Sequence, residues 1–356
     1  MGRPLVRLVL CSLGGVPVRR GRAMDLKALK TIRAYLQEGE FPITIAPEGA
    51  TNGHSELLSP LEPGTTQLAF WGVEDLRKAG QSQPLLIVPI GLRYLYPHPN
   101  WSALDRLLSR LEKDTGLPLA SFNQPQTTPP EAYARRLCAI GEHLLTRLEQ
   151  FYQRFYPHAS AFSRGNAVPT AVSPGEVGKA ALIDQRLAHL LHTALSIGKD
   201  YFGLPHTGSL GRRCRRLEEA GWMQIYREDL PSLFRLCSLE RGLADWSAAV
   251  ASLHLRHMRL VESFVAVTAE YVQQQPRFER LAETALILFD LVERVKGVAV
   301  PRRPQLGRRQ AVITIGTPID VSQRWSSYSA SRSAAKAAVA TLTADLQQAL
   351  ETLTRL

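Results

Sequence analysis

The period of apolar and polar positions changes twice along this chain. Between Leu5 and Tyr96 short apolar runs alternate with helical spacing. Val16 to Val18 reads as a short extended piece. Asp25 is placed to cap a helix whose apolar face is Leu26, Leu29, Ile32, Tyr35 and Leu36, with Gly39 to end it. Phe41 to Ala46 then reads as a buried strand, Glu62-Pro63 opens a helix through Leu68, Ala69 and Trp71, and Leu85 to Ile90 reads as the next buried strand. Strands alternating with helices predict an α/β sheet with crossover connections.

From about Asn100 to Val300 the spacing turns helical. Trp101, Leu104, Leu108 and Leu111 form one stripe; Tyr133, Leu137, Ile140, Leu144, Leu148 and Phe151 form another. Ser160 to Pro174 is polar and reads as a loop. Further helices are predicted around Leu182 to Leu195, Leu253 to Tyr271 and Phe278 to Val295, and Val298 to Arg309 reads as a linker. Strand character returns at Ala311 and runs through Ile319, before a final helix from about Arg332 to Leu353. No internal repeat is evident.

Composition changes this picture little. The hydrophobic share of 45% and charged share of 21% are those of a soluble globular chain. A formal charge of +11 favours anionic partners: phosphate groups, membranes or nucleic acid. Cys11, Cys138, Cys214 and Cys237 are scattered, without metal-like spacing, and read as reduced thiols in a cytoplasmic compartment. No apolar run approaches the roughly 20 residues of a spanning helix. The apolar stretch within Met1 to Leu13 is short for a signal peptide, and no cleavage site follows it. Any membrane contact is therefore expected to be peripheral.

Three motifs stand in a specific order: Leu13-Gly14-Gly15-Val16-Pro17-Val18-Arg19-Arg20, Ile45-Ala46-Pro47-Glu48-Gly49-Ala50-Thr51-Asn52, and Ile87-Val88-Pro89-Ile90-Gly91. Order and spacing resemble the second, third and fourth blocks of the glycerolipid acyltransferases, the family that acylates lysophosphatidate. Gly316-Thr317-Pro318-Ile319 resembles a strand that in this family follows soon after the fourth block. Here roughly two hundred residues intervene, far beyond an ordinary loop. The resemblance thus covers residues 1–97 and 308–356. It implies an acyltransferase-like α/β core interrupted by a large all-helical insertion at 98–307.

The resemblance also assigns roles. Arg19 or Arg20, with Arg20 preferred, would bind the glycerol phosphate through a planar guanidinium fork. Glu48 would accept hydrogen bonds from the acceptor glycerol or position the donor, and Gly49 would admit backbone close to substrate. Two positions depart from the pattern: Ala46 replaces a Phe, and Thr51 stands where the family has Arg. Asn52, Gly53, His54 and Ser55 are the polar groups at hand to compensate. Pro89 matches a block tied to acyl-chain and acyl-donor contacts.

The family's first block, an Asn-His-x4-Asp run carrying the catalytic base, has no counterpart here. None of the nine histidines begins a His-x4-Asp. His257 and Glu262 form a His-x4-Glu, but an offset of five on a helix sends the two side chains to diverging faces. The expectation is a chain whose start at Met1 omits that block, leaving a sheet edge and apolar surface uncovered.

The resemblance therefore implies acyl transfer from acyl carrier protein or coenzyme A, as co-substrate rather than cofactor, to a lysophospholipid hydroxyl. It implies no metal and a cytoplasmic, peripherally membrane-associated protein. The alternative is a non-catalytic lipid-binding or regulatory homologue that keeps the pocket. A third possibility is an α/β protein of another activity. Arg212-Arg213-Cys214-Arg215-Arg216, Arg302-Arg303 and Arg308-Arg309 read first as solvated basic runs. Contact with an anionic membrane, worth about 1 kcal/mol per basic residue, is the second reading, and Trp222 and Tyr226 would suit an interfacial face. No nucleic-acid module accompanies them.

Overall fold

Helices carry most of the backbone of this computed structural model, which describes residues 4–18, 26–49, 52–117, 130–158, 176–227, 235–264, 268–298 and 300–354. The first is α1 (Pro4–Ser12), followed by α2 (Leu26–Glu38), where Gly39 at φ +67° stops the helix as its sequence position predicts. Next come α3 (Gly64–Lys78), a two-residue β1 (Leu86–Ile87) and β2 (Ile90–Leu95). The helical stretch comprises α4 (Trp101–Thr115), α5 (Pro130–Phe155), α6 (Glu176–Phe202), α7 (Leu210–Ile225), α8 (Ser238–Phe264), α9 (Ala269–Gln274) and α10 (Phe278–Val295). The chain closes with β3 (Gln310–Ile315), β4 (Ile319–Asp320), α11 (Trp325–Ser329) and α12 (Arg332–Thr354).

The helix ends are chemically marked. The Asn100 side chain accepts from Ala103 N–H to start α4, and Gly116 in the left-handed region ends it. Ser209 and Thr268 cap α7 and α9 in the same way.

The α/β expectation fails. The protein is 68% helical and 5% strand, and its strands form two small antiparallel pairs. β2 pairs with β3 over Ile90–Ile315 through Leu95–Gln310, and β1 pairs with β4. A parallel sheet needs neighbours that supply backbone partners along each strand, and here no such neighbour exists among the described residues. Residues 42–46 form no strand, and Phe41 is 73% exposed. Val16–Val18 is likewise irregular. The predicted buried strand at 85–90 is interrupted at Val88-Pro89, and Leu86, Val88 and Ile90 are exposed. Proline cannot donate to a ladder, which accounts for the break.

One face of the β2–β3 pair is covered by α12, where Leu353 packs on Gly91 and Gly316. The other face presents Ile90, Leu92, Tyr94, Ile313 and Ile315 to solvent.

Apolar side chains gather in three clusters. One joins α3 to Leu85, Val321 and α12. A second links α4, α5 and α10 with Tyr96 and Leu306, and a third links α5 to α6, α7 and α8. The α5 stripe is correct at Tyr133, Leu137 and Ile140, but further along Tyr152 is buried where Phe151 was expected. The helix predicted from Leu253 to Tyr271 is two: α8 stops at Phe264, and Tyr271 belongs to α9. Buried almost all round, α10 is the central helix, and it buries Glu283, Asp290 and Glu293 along with its apolar residues.

Candidate functional site

The described part of the Pro47-Glu48-Gly49 segment belongs to a loop closed at its base by Glu62 N–H donating to the Pro47 carbonyl at 3.0 Å. At about 16 residues between close ends it has the form of an Ω-loop. Its interior is organised by two side chains. Glu48 Oε2 accepts from Ser59 N–H at 2.8 Å and from Asn52 Nδ2 at 3.4 Å. Asn52, buried, also donates to the Leu57 carbonyl at 2.6 Å and to Ser59 Oγ at 3.2 Å, while its Oδ1 accepts from His54 N–H. Glu48 Oε1 has no protein partner among the described residues.

The loop seats on α10 through Arg280, Glu283 and Ile287, a stripe at helical spacing that Asp290 continues. Glu283 accepts from Ser55 N–H at 3.1 Å on Oε2 and from Ser55 Oγ at 2.5 Å on Oε1, and His54 Nδ1 lies 3.2 Å from Oε2. Arg280 donates to Glu56 at 2.7 Å and lies 4.2 Å over the Tyr271 ring. Gly53, at φ +81°, touches Ile287, and Asp290 pairs with Arg303 at 2.9 Å. Helix α12 braces the far side: Leu61 N–H donates to Gln347, and Thr66 and Thr343 share a hydrogen bond at 2.7 Å.

Gly49 adopts φ +72°, and Arg215 of α7 lies where a Cβ would project. Arg215 also reaches Glu62 at 3.5 Å. A guanidinium from the basic run read as solvated therefore stands at the Pro-Glu-Gly turn. Its neighbours behave differently: Arg212 is exposed, Arg213 is buried, and Arg303 is committed to Asp290. Arg309 lies 5.2 Å over Tyr94.

The other sequence-derived candidates are placed as follows. Arg19, Arg20 and Thr51 lie outside the described residues. Asn52 joins Glu48 and Gly49 but is consumed in holding the loop. Pro89 sits at the β1–β2 break, its carbonyl accepting from Gly316 at 2.8 Å, with no hydrogen bond to the loop among the described residues. His257 is a core residue against Tyr152 Oη at 2.7 Å, and burial pushes its pKa down to about 4. Its partner in the motif, Glu262, feels the charges of Glu218, Arg259 and Arg294 rather than that of His257. Trp222 is packed against the α5–α8 cluster, whereas Tyr226 is exposed.

Arg215 and Glu283 were not found from the sequence as parts of this site. The stripe at 280, 283, 287 and 290 puts three charges on one face of an apolar helix, which was the available signal. Among the described residues no group of three or more His, Cys, Asp and Glu is placed to hold a metal ion. An apolar cleft of about 80 Å³ lies beyond α10, lined by Leu144, Leu187, Leu260, Phe264 and Leu288. No described helix is long and apolar enough to cross a membrane.

Comparison with protein-family models found no match, and neither did comparison with curated proteins and with solved structures.

Proposed function

We propose that this chain handles a lysophospholipid as a glycerolipid acyltransferase, moving an acyl group from acyl carrier protein or coenzyme A to the hydroxyl of an acceptor such as lysophosphatidate. The observation that supports this most is the state of Glu48. One carboxylate oxygen is fixed by Ser59 N–H and the other is uncommitted among the described residues, beside a glycine turn faced by the Arg215 guanidinium. The free oxygen suits an acceptor hydroxyl, and a guanidinium fork suits its phosphate. Arg215 would supply at this turn the cation that the resemblance places at Thr51.

In the reaction, the acceptor oxygen attacks the thioester carbonyl and the thiolate leaves. The hydroxyl proton passes through a base to that thiolate. His54, the histidine nearest Glu48 in sequence, has a fully buried side chain turned toward Glu283 and Tyr271. This favours the second reading, a non-catalytic homologue that binds lipid at the same turn and contacts anionic membrane peripherally.

Incubation with labelled acyl-coenzyme A or acyl carrier protein and lysophosphatidate separates the two. Phosphatidate formation that falls in Glu48→Gln supports transfer. Lysolipid binding without product supports the lipid-binding homologue, and the absence of both defeats each.

A further inference from the structure

We propose that the junction between α6 and α7 is an anion site for a phosphate group, held by Lys199, Arg213 and Arg216. Lys199, in the last turn of α6, is fully buried, and its Nζ has no hydrogen-bond partner among the described residues. Arg213, in the first turn of α7, is 4% exposed, and among the described residues its Nε and the buried Nε of Arg216 have no hydrogen-bond partner. Among the described residues none of the three has a carboxylate within ion-pair distance.

The surroundings offer no substitute. Asp200 is the neighbouring acid in sequence, but it is mostly exposed and bonded to His206 at 2.8 Å. Arg213 Nη1 meets His192 Nδ1 at 2.7 Å, and burial followed by Arg213 itself pushes the His192 pKa down. That imidazole therefore carries no negative charge and tends to stay neutral. Arg216 Nη2 donates to the Thr207 carbonyl, which fixes the connecting loop at Gly208, where φ is +103°.

Arg213 and Arg216 both act electrostatically on Lys199. Burial, then Arg213 and Arg216, push the Lys199 pKa down to about 8. Buried like charges without a counter-ion are costly, and charged groups buried in proteins are ordinarily paired. Their position sharpens the point. The first turn of α7 holds no acid, although a helix N-terminus favours negative charge, and it carries Arg212 and Arg213 instead. An oxyanion there would meet the unpaired Nε–H groups of Arg213 and Arg216 and the Lys199 ammonium, beside a helix start. A tetrahedral phosphate, with several oxygens and up to two charges, matches that donor set better than a carboxylate.

This inference does not depend on the acyltransferase reading. The phosphate could belong to a lipid headgroup or to a soluble ion, and two arms of one experiment distinguish them. In the first arm, thermal unfolding of the full chain is followed in sodium phosphate against sodium chloride at equal ionic strength. About 10 mM phosphate is expected to raise the wild-type Tm by about 2 °C. Lys199→Met, which removes an uncompensated charge, is expected to raise the anion-free Tm and abolish the phosphate response. Arg216→Met should lose most of that response as well.

In the second arm, sedimentation is measured with vesicles of phosphatidylcholine, with and without phosphatidate. Phosphatidate-dependent binding lost in both variants assigns the site to a headgroup, whereas a phosphate response without vesicle binding assigns it to a soluble phosphate. Either supports the site. A wild-type Tm that responds no more to phosphate than to chloride overturns it, as does a full response retained in Lys199→Met and Arg216→Met.

Discussion

Replacing Glu283 tests what seats the Pro47–Glu62 loop on the protein. Its carboxylate receives Ser55 N–H at 3.1 Å and Ser55 Oγ at 2.5 Å, with His54 Nδ1 at 3.2 Å. Hydrogen bonds to charged groups contribute about 1.5–3 kcal/mol each. Two are lost in Glu283→Ala, and the buried His54 ring loses the only polar group facing its Nδ1 among the described residues. Against this stands the desolvation of the glutamate itself, which the alanine variant no longer bears. The net cost expected for Glu283→Ala is about 3 kcal/mol. Glu283→Gln keeps the shape and one carbonyl oxygen for Ser55, so about 1 kcal/mol is expected there. Urea titrations compared at a common m-value measure both, and hydrogen exchange at the Ser55 and Ser59 amides reports whether the loop loosens with them. An alanine cost below about 1 kcal/mol, or a glutamine variant as unstable as the alanine one, would show that this carboxylate does not seat the loop.

Other substitutions probe separate parts of the account. Gly49→Ala forces a side chain into a left-handed position against Arg215; it should cost about 1–2 kcal/mol and weaken any binding at the turn, read by denaturation and lysolipid titration. Gly91→Ala puts a Cβ 2.7 Å from that of Leu353, so it should cost about 1–3 kcal/mol by lifting α12 from the sheet. Burial, then Glu218, push the Glu262 carboxyl from 4.5 up to about 7, with Arg259 and Arg294 opposing. The folded protein thus keeps a proton that the unfolded chain releases, and stability falls as pH rises between those values. Glu262→Gln should therefore stabilise by about 1–2 kcal/mol at pH 8 and leave stability unchanged at pH 4. A pH-independent effect in denaturation curves would contradict that assignment.

Local signals in the sequence were reliable where one element decides the outcome. The helix from Leu26 to its Gly39 stop, the start of α3 at Pro63, the α4 stripe and the final helix all lie where spacing put them, although Leu26 and Tyr35 of the predicted apolar face are exposed and the predicted cap Asp25 lies outside the described residues. The sheet was not legible, because an apolar run such as Phe41–Ala46 specifies extension but not a pairing partner. Pro89 showed where the 85–95 segment would break, yet that proline was read only as a motif residue. At the site, the turn itself was recognised from Pro47-Glu48-Gly49, while its two long-range supports were not. Glu283 and Arg215 reach it from helices more than a hundred residues away, and nothing local to the turn specifies them. The run Arg212 to Arg216 did carry a usable signal. Ser209 marks a helix start just before it, and no acid appears until Glu218, so cations occupy a place where the helix dipole favours anions.

Equilibrium binding of lysophosphatidate, below its aggregation threshold, tests the central claim most directly, because both the acyltransferase and the lipid-binding homologue require it at the Pro-Glu-Gly turn. The account predicts saturable binding by the wild-type chain, weakened about tenfold in Arg215→Met, which corresponds to about 1.4 kcal/mol. No saturable binding, or equal binding by wild type and Arg215→Met, would contradict it.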